Sequence, residues 1–243
     1  MNFEEHAAKP LLARQGIVIP EGGLARTPDE AAAVATRIGA VIVKAQVPTG
    51  KRGKAGGIRL ATTPDDARTH AKAIIGMEIA GHKVEKVLIE EQMPIARELY
   101  AAVLNDPASK GPLVMFSTEG GMDIEEMAAT APDKLHLQPV DIRRGFSHAD
   151  AGTLVQGLGL GAAEGKVADA LAKLYAVYAA FDAELVEINP LIVTKDGRVV
   201  ALDCKFVMDD SAIVRHPGVA HAGTPEKLTG LEARAKAAGL KYI

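Results

Sequence analysis

Two segments of this chain open on nearly the same phrase. Thr27-Pro28-Asp29-Glu30 begins an alanine-rich run to Ile38, and Thr63-Pro64-Asp65-Asp66 begins another to Ile75. Each phrase puts Thr where its hydroxyl can cap a helix, Pro at the first helical position and acids in the first turn. Each run ends at a glycine, Gly39 or Gly76. The shared phrase is common helix-start chemistry and does not mark a repeat. Between the helices, Val41–Val47 and Ile58–Ala61 read as strands joined by the Gly/Lys-rich stretch Pro48–Gly57.

Further strands are expected at Val87–Glu91, Leu99–Leu104 and Leu113–Phe116. A glycine-rich connector, Gly157–Gly165, leads into an amphipathic run from Lys166 to Phe181, then two strand-like runs, Leu185–Val193 and Val199–Val207. Helices and strands mix without strict alternation, so the fold class is α+β with at least two sheets. A tail from His216 to Pro225 reads as loop, and Glu226–Ala238 as a weakly apolar helix.

Composition narrows the function classes. In 243 residues the formal net charge is −3, which argues against a nucleic-acid binder with its basic excess. One cysteine excludes a disulfide framework and a multi-cysteine metal site, and fits a reducing compartment. The start reads as acidic and amphipathic, unlike a secretory leader, and no apolar stretch approaches the roughly 20 residues of a membrane helix. A cytoplasmic location is therefore expected.

Two glycine motifs mislead. Gly157-Leu158-Gly159-Leu160-Gly161-Ala162 fits a dinucleotide fingerprint, but no strand precedes it. Gly53-Lys54 is followed by Ala55 where a P-loop needs Ser or Thr. The stretch from Lys44 through Lys51-Arg52-Gly53-Lys54 to Gly57 could still hold an anion on cations and backbone N–H groups. Lys44 favours that reading over a solvated hairpin loop, since a cation in an apolar strand needs a partner.

Glu187-Ile188-Asn189-Pro190 is sharper. Glu187 and Asn189 share one strand face. Thr194-Lys195-Asp196-Gly197-Arg198 suits a three-residue hairpin loop with Gly197 left-handed, and that register sets Asn189 opposite Asp203 and Glu187 opposite Lys205. A two-residue Asp-Gly turn would put Asn189 and Asp203 on opposite faces. In the first register hard oxygens converge as Mg²⁺ prefers, with phosphate and water completing the shell. The alternative is an edge hairpin with solvated acids.

Five motifs in order, Lys44-Ala45-Gln46-Val47, Arg52-Gly53-Lys54-Ala55-Gly56-Gly57, Glu98-Leu99-Tyr100, Ser117-Thr118-Glu119-Gly120-Gly121 and Glu187-Ile188-Asn189-Pro190-Leu191, resemble the β subunit of succinyl-CoA synthetase over nearly the whole chain. The resemblance implies an ATP-grasp fold of two α+β subdomains clamping a nucleotide. The smaller would be residues 21–93 and the larger 1–20 with 94–230; 231–243 would begin a linker to a CoA-ligase domain, as in a chain cut at the boundary or a two-gene arrangement. It implies an acid–thiol ligase that uses ATP/ADP and Mg²⁺ and passes a phosphoryl group to a histidine of a partner α subunit, which also carries the CoA site. Succinate or malate would be the acid, and the chain alone would bind nucleotide without turnover.

Residue by residue, the resemblance puts Lys44 on the nucleotide phosphates and Lys51, Arg52 and Gly53 in the phosphate loop. Glu90, Met93 and Glu98 fall at adenine and ribose contacts, Asn189 and Asp203 are magnesium ligands, and Glu187 is the glutamate that steadies the phosphohistidine. Pro20 stands where ATP-using members often carry Pro. The chain departs from the pattern at Lys51, at Cys204-Lys205-Phe206 in place of Gly-Lys-Leu, and at Asp209-Asp210-Ser211 in place of Asp-Gly-Asn. A non-catalytic nucleotide-binding or assembly module is the alternative function.

Overall fold

The computed structural model describes residues 1–50, 52–224, 229–240 and 242. In chain order its elements are β1 (Asn2–Phe3), α1 (Glu5–Arg14), β2 (Gly22–Ala25), α2 (Pro28–Ile38), β3 (Val41–Ala45), β4 (Ile58–Ala61) and α3 (Pro64–Ile74). Next come β5 (Glu78–Ile79), β6 (His82–Lys83), β7 (Val87–Glu91), β8 (Ile95–Asp106), β9 (Gly111–Ser117), α4 (Ile124–Thr130) and β10 (His136–Pro139). The remainder are α5 (His148–Val155), α6 (Glu164–Ala180), β11 (Ala183–Thr194), β12 (Val199–Ala201), β13 (Lys205–Met208), α7 (Pro217–Ala220) and α8 (Gly230–Ala237).

Both anticipated helix starts are present. The Thr27 hydroxyl accepts from the Glu30 N–H at 3.2 Å, and Thr63 forms a reciprocal capping box with Asp66. Their alanines, Ala31 and Ala35 on α2 and Ala67 and Ala71 on α3, bury against the apolar face of an antiparallel sheet ordered β2-β7-β3-β4. Val41, Val43 and Ala45 point into this core. The period of two therefore turns Ile42 and Lys44 of β3, with Leu88 and Glu90 of β7, to the other face.

The larger sheet runs β1-β13-β11-β8-β9-β10, with β12 on β11. Leu11 and Leu12 of α1 and Leu171, Leu174 and Val177 of α6 pack its inner face against Val186, Ile188 and Phe206. Helices α4 and α5 were not anticipated, although Ser147 and Asp150 form a capping box that the sequence displays. The glycines at 157, 159 and 161 follow α5, with no strand before them, and all take positive φ on the way into α6.

The expected strand 199–207 is broken. Leu191↔Ala201 and Glu187↔Lys205 pair in one register, with Gly197 at φ 76°, so Asn189 does stand across from Asp203. The gap falls at 202–204. Leu202 donates its N–H to the Pro190 carbonyl at 3.1 Å, but Pro190 has no N–H to return. The Leu202 carbonyl is left for other donors, and two lysines take it.

Candidate functional site at the subdomain junction

The face of the smaller sheet that carries Lys44 and Glu90 meets α1 and the 202–204 gap of the larger sheet. Six ionisable side chains close on one another there. Lys44 Nζ lies 2.8 Å from Glu5 Oε1, 2.7 Å from Glu90 Oε2 and 2.6 Å from the Leu202 carbonyl. Lys9 Nζ, one turn along α1 from Glu5, reaches Glu5 at 2.8 Å, Glu90 at 2.6 Å and the same carbonyl at 2.8 Å. Arg52 places Nη1 2.7 Å from Glu5 and Nη2 2.7 Å from Asp203. Three cations face three carboxylates, so the cluster is neutral within itself. All but Asp203 are buried, which such a cluster tolerates only because each charge is paired.

The electrostatics follow from this packing. Burial by itself would raise the Glu5 carboxyl, but Lys44, Lys9 and Arg52 override it and hold the group well below the usual carboxylate range. Burial likewise opposes charge on Lys44, and Glu5 and Glu90 outweigh it, so the ammonium stays charged beyond its ordinary range. The buried lysine thus has the partner its strand demanded, supplied by the protein's own carboxylates. Glu5 and Lys9 were missed by the sequence reading. Their signal was an oppositely charged pair at helical spacing on the face that also carries Ala8, Leu11 and Leu12.

The anticipated phosphate stretch is a compact turn after β3. Its backbone closes through Gly57 N–H to the Arg52 carbonyl and Gly56 N–H to the Gly53 carbonyl. A side chain at Gly57 would meet Ile79, Ala45 and the Arg52 carbonyl at 2.8, 3.0 and 3.2 Å, so glycine lets the turn lie on β3 without displacing them. Arg52 is buried and Gly53 exposed; Lys51 lies outside the described residues.

Beside the cluster is a cavity of about 150 Å³. Arg52, Thr49 and Gly50 line one side, and Glu187, Asn189, Asp203 and Lys205 the other. Asp203 and Asn189 offer hard oxygen ligands across one space, which suits Mg²⁺ completed by phosphate and water. Both are engaged within the chain. Asp203 accepts from Arg52 and from the Cys204 N–H at 2.7 Å, while Asn189 Oδ1 accepts from the Gly121 N–H and its Nδ2 donates to the Met122 carbonyl, each at 2.8 Å. The Cys204 thiol beside Asp203 is pushed well up, first by burial and then by that carboxylate, and stays protonated.

Glu187 has a distinct setting. Burial raises its carboxyl, whereas the Tyr100 hydroxyl, donating at 3.1 Å, and Lys205 pull it down; Asp203 and Glu125 push it up. Tyr100 itself is held protonated far above its ordinary range, by burial first and Glu187 next.

Glu90, Met93 and Glu98 are not brought to one place. Glu90 is in the ion cluster, and Met93 packs with Ile192, Val200 and Leu202. Glu98 is exposed on β8 beneath Gly121, where any side chain at 121 would overlap its carboxylate. Pro20 lines a second cavity of about 230 Å³ that shares Lys9 and Glu90 with the cluster. No group of three or more His, Cys, Asp or Glu among the described residues could hold a metal, and no described helix is long and apolar enough to cross a membrane.

At this junction the cations Lys44 and Arg52, from the smaller sheet and the turn after it, meet the Leu202 carbonyl and the Asp203 carboxylate of the larger one. A family model described as an ATP-grasp domain matches residues 2–193, and the chain belongs to that family. Among curated relatives, it is 45% identical over 244 residues to succinate–CoA ligase [GDP-forming] subunit beta of Thermus thermophilus. It is 45% identical over 248 residues to succinate–CoA ligase [ADP-forming] subunit beta of Chloroflexus aurantiacus. All of this chain matches 65% of each, so it spans about two thirds of the length of these relatives.

Two solved structures share the fold. A dinucleotide-forming acetyl-coenzyme A synthetase 1 of Ca. Korarchaeum cryptofilum, in complex with coenzyme A, Ca-AMPCP and HgCl+, superposes with TM-score 0.73 at 21% identity, covering 86% of this chain and 93% of that one. ATP citrate lyase from Methanothrix soehngenii, in complex with citrate and coenzyme A, gives 0.72 at 22%, covering 97% and 59%.

Proposed function

We propose that this chain is the nucleotide-clamping part of an acid–CoA ligase β subunit. The γ-phosphoryl group of ATP passes to a histidine on a partner α subunit and then to a carboxylic acid, from which CoA displaces it to give the acyl-CoA. The observation that carries the reading is the shared cavity, where Glu187 stands among Arg52, Asn189 and Asp203. A plain nucleotide sensor has no use for a carboxylate there. An imidazole receiving a phosphoryl group does, because it becomes a cation.

In this reading Lys44 and Arg52 leave their carboxylates for the nucleotide phosphates, and Asn189 and Asp203 hold the magnesium. That ion, when bound, neutralises charge on the phosphates. Little covalent chemistry falls to the chain, whose part is positioning and charge neutralisation. Gly53 belongs to the phosphate loop; Glu90, Met93 and Glu98 stand apart and are not assigned together to the base and ribose. Succinate is the acid favoured by the sequence relatives, with malate the nearest alternative. ATP is the nucleotide favoured by Pro20.

The test is calorimetric titration of the chain with ATP, with and without Mg²⁺. Magnesium-dependent binding, lost in Lys44→Ala, is expected. No binding at millimolar Mg-ATP would overturn the reading.

A further inference from the structure

The Glu98-Leu99-Tyr100 motif ends in a buried side chain to which neither the resemblance nor the nucleotide site gives a task. Tyr100 lies on β8, whose neighbours Leu99 and Ala101 pair with Leu191 and Ile188 of β11. Tyr100 therefore stands alone opposite two residues, Asn189 and Pro190, in a bulge with one extra residue on β11. Such bulges re-aim side chains beside functional sites. Here the phenol, 2% exposed, passes along the strand to the Glu187 carboxylate and donates to Oε2 at 3.1 Å. Among the described residues no group donates to Oε1, and Glu187 lines the cavity that also holds Asn189, Asp203 and Arg52.

We propose that Tyr100 is a positioning residue for phosphoryl transfer: by engaging one oxygen of Glu187 it leaves the other set to accept the N–H of the imidazole that exchanges a phosphoryl group with the nucleotide. This rests on the function proposed above. In the forward step a neutral imidazole attacks the γ-phosphorus through its unprotonated nitrogen. The N–P bond forms, the bond from phosphorus to the β-phosphate bridging oxygen breaks, and ADP leaves with that electron pair. The ring keeps its N–H and becomes a phosphoimidazolium cation, which the Glu187 carboxylate stabilises. No proton has to move. A carboxylate free to rotate would meet the ring N–H only part of the time; Lys205 attracts it and Asp203 and Glu125 repel it, but among the described residues only Tyr100 holds it by a hydrogen bond.

The probe is the reverse reaction with a small acceptor mimic. The full chain, Mg-ADP and phosphoimidazole are mixed and ATP is read by luciferase. Rates are taken per Mg-ADP site titrated in each variant, so that any unfolded fraction drops out. Tyr100→Phe should lower the rate about 10- to 100-fold, the expected effect of losing a hydrogen bond to a charged group, with the KM for ADP unchanged. Glu187→Gln should lower it at least as far, and the double variant should be no slower than Glu187→Gln alone.

A merely structural Tyr100 would give additive losses or move KM. Either result, or a full rate in Tyr100→Phe, overturns the assignment while leaving the function intact. Absence of ATP formation by the unaltered chain with Mg-ADP bound would instead refute the function and this inference with it.

Discussion

Replacing Lys9 by Met tests whether the junction is held as a balanced charge cluster. The substitution keeps the stem and removes one of three cations from among Glu5, Glu90 and Asp203. Lys9 is 2% exposed, lies 2.8 and 2.6 Å from two carboxylates and donates to the Leu202 carbonyl. Removing one partner of a buried pair costs about 3–5 kcal/mol, because the other charge stays buried and short of compensation. For a domain of this size each kcal/mol shifts the melting midpoint by roughly 2–4 °C, so Lys9→Met should melt about 6–20 °C lower.

The assay is thermal and urea unfolding at neutral pH, where Glu5 is ionised. The depressed Glu5 carboxyl contributes stability that is fully present above its ordinary value of 4.5 and is lost as pH falls through its folded value. Removing Glu90 as well, in Lys9→Met with Glu90→Met, should cost less than the two single changes together. A Lys9→Met loss below about 1 kcal/mol, the worth of an exposed pair, would refute the cluster as a coupled unit.

Four other outcomes are expected. Asp203→Ala should weaken Mg-nucleotide binding by about 1 kcal/mol or more in calorimetry, since it removes a charged oxygen ligand; unchanged magnesium-dependent affinity would remove Asp203 from the site. Glu187→Gln should abolish phosphorylation of an α partner while sparing ATP binding, and persistent phosphorylation would exclude the role given to it. His6 is held below 6.5 by burial, with Lys86 adding to the effect. The unfolded chain therefore binds the proton more readily, and stability should decline as pH falls from 6.5 towards the folded value; His6→Gln should flatten that slope in pH-dependent urea unfolding. Thr63→Ala should lower stability by about 1 kcal/mol by removing a helix cap, and Thr63→Ser should restore most of it.

What could be read in the sequence was what short-range chemistry decides. Thr-Pro-acid starts fixed two helices to within a residue, because cap, ring and first-turn charge act on neighbouring backbone. The register of β11 against β12 and β13 is that of the three-residue loop, one of the two pairings that Thr194–Arg198 offered, and the Thr194 N–H to the Arg198 carbonyl closes it. The glycines at 157–161 could be set aside as a nucleotide fingerprint for want of a strand before them, and α5 is what precedes them. The break in the strand at 202–204 was hidden because Val199–Val207 is apolar enough for a continuous strand. Its cause sits on the opposite strand, in a proline written twelve positions earlier than Leu202.

The ion cluster was illegible for a stronger version of the same reason. Lys44 announced that a partner was needed, and a bound anion was one answer. The carboxylates that answer it stand 39 and 46 positions away, and the carbonyl it shares with Lys9 stands 158 away. That carbonyl is available only because Pro190 withholds a ladder N–H, so a backbone rule in the larger sheet decides where two side-chain cations from other elements come to rest. The arrangement also separates the roles of the two lysines. An anion arriving from the cavity meets Arg52 at its wall, and reaching Lys44 means displacing Glu5 and Glu90 from that ammonium. Lys9 touches both of these carboxylates and does not line that cavity, so under the proposed function its charge would keep them compensated with Lys44 turned to the anion.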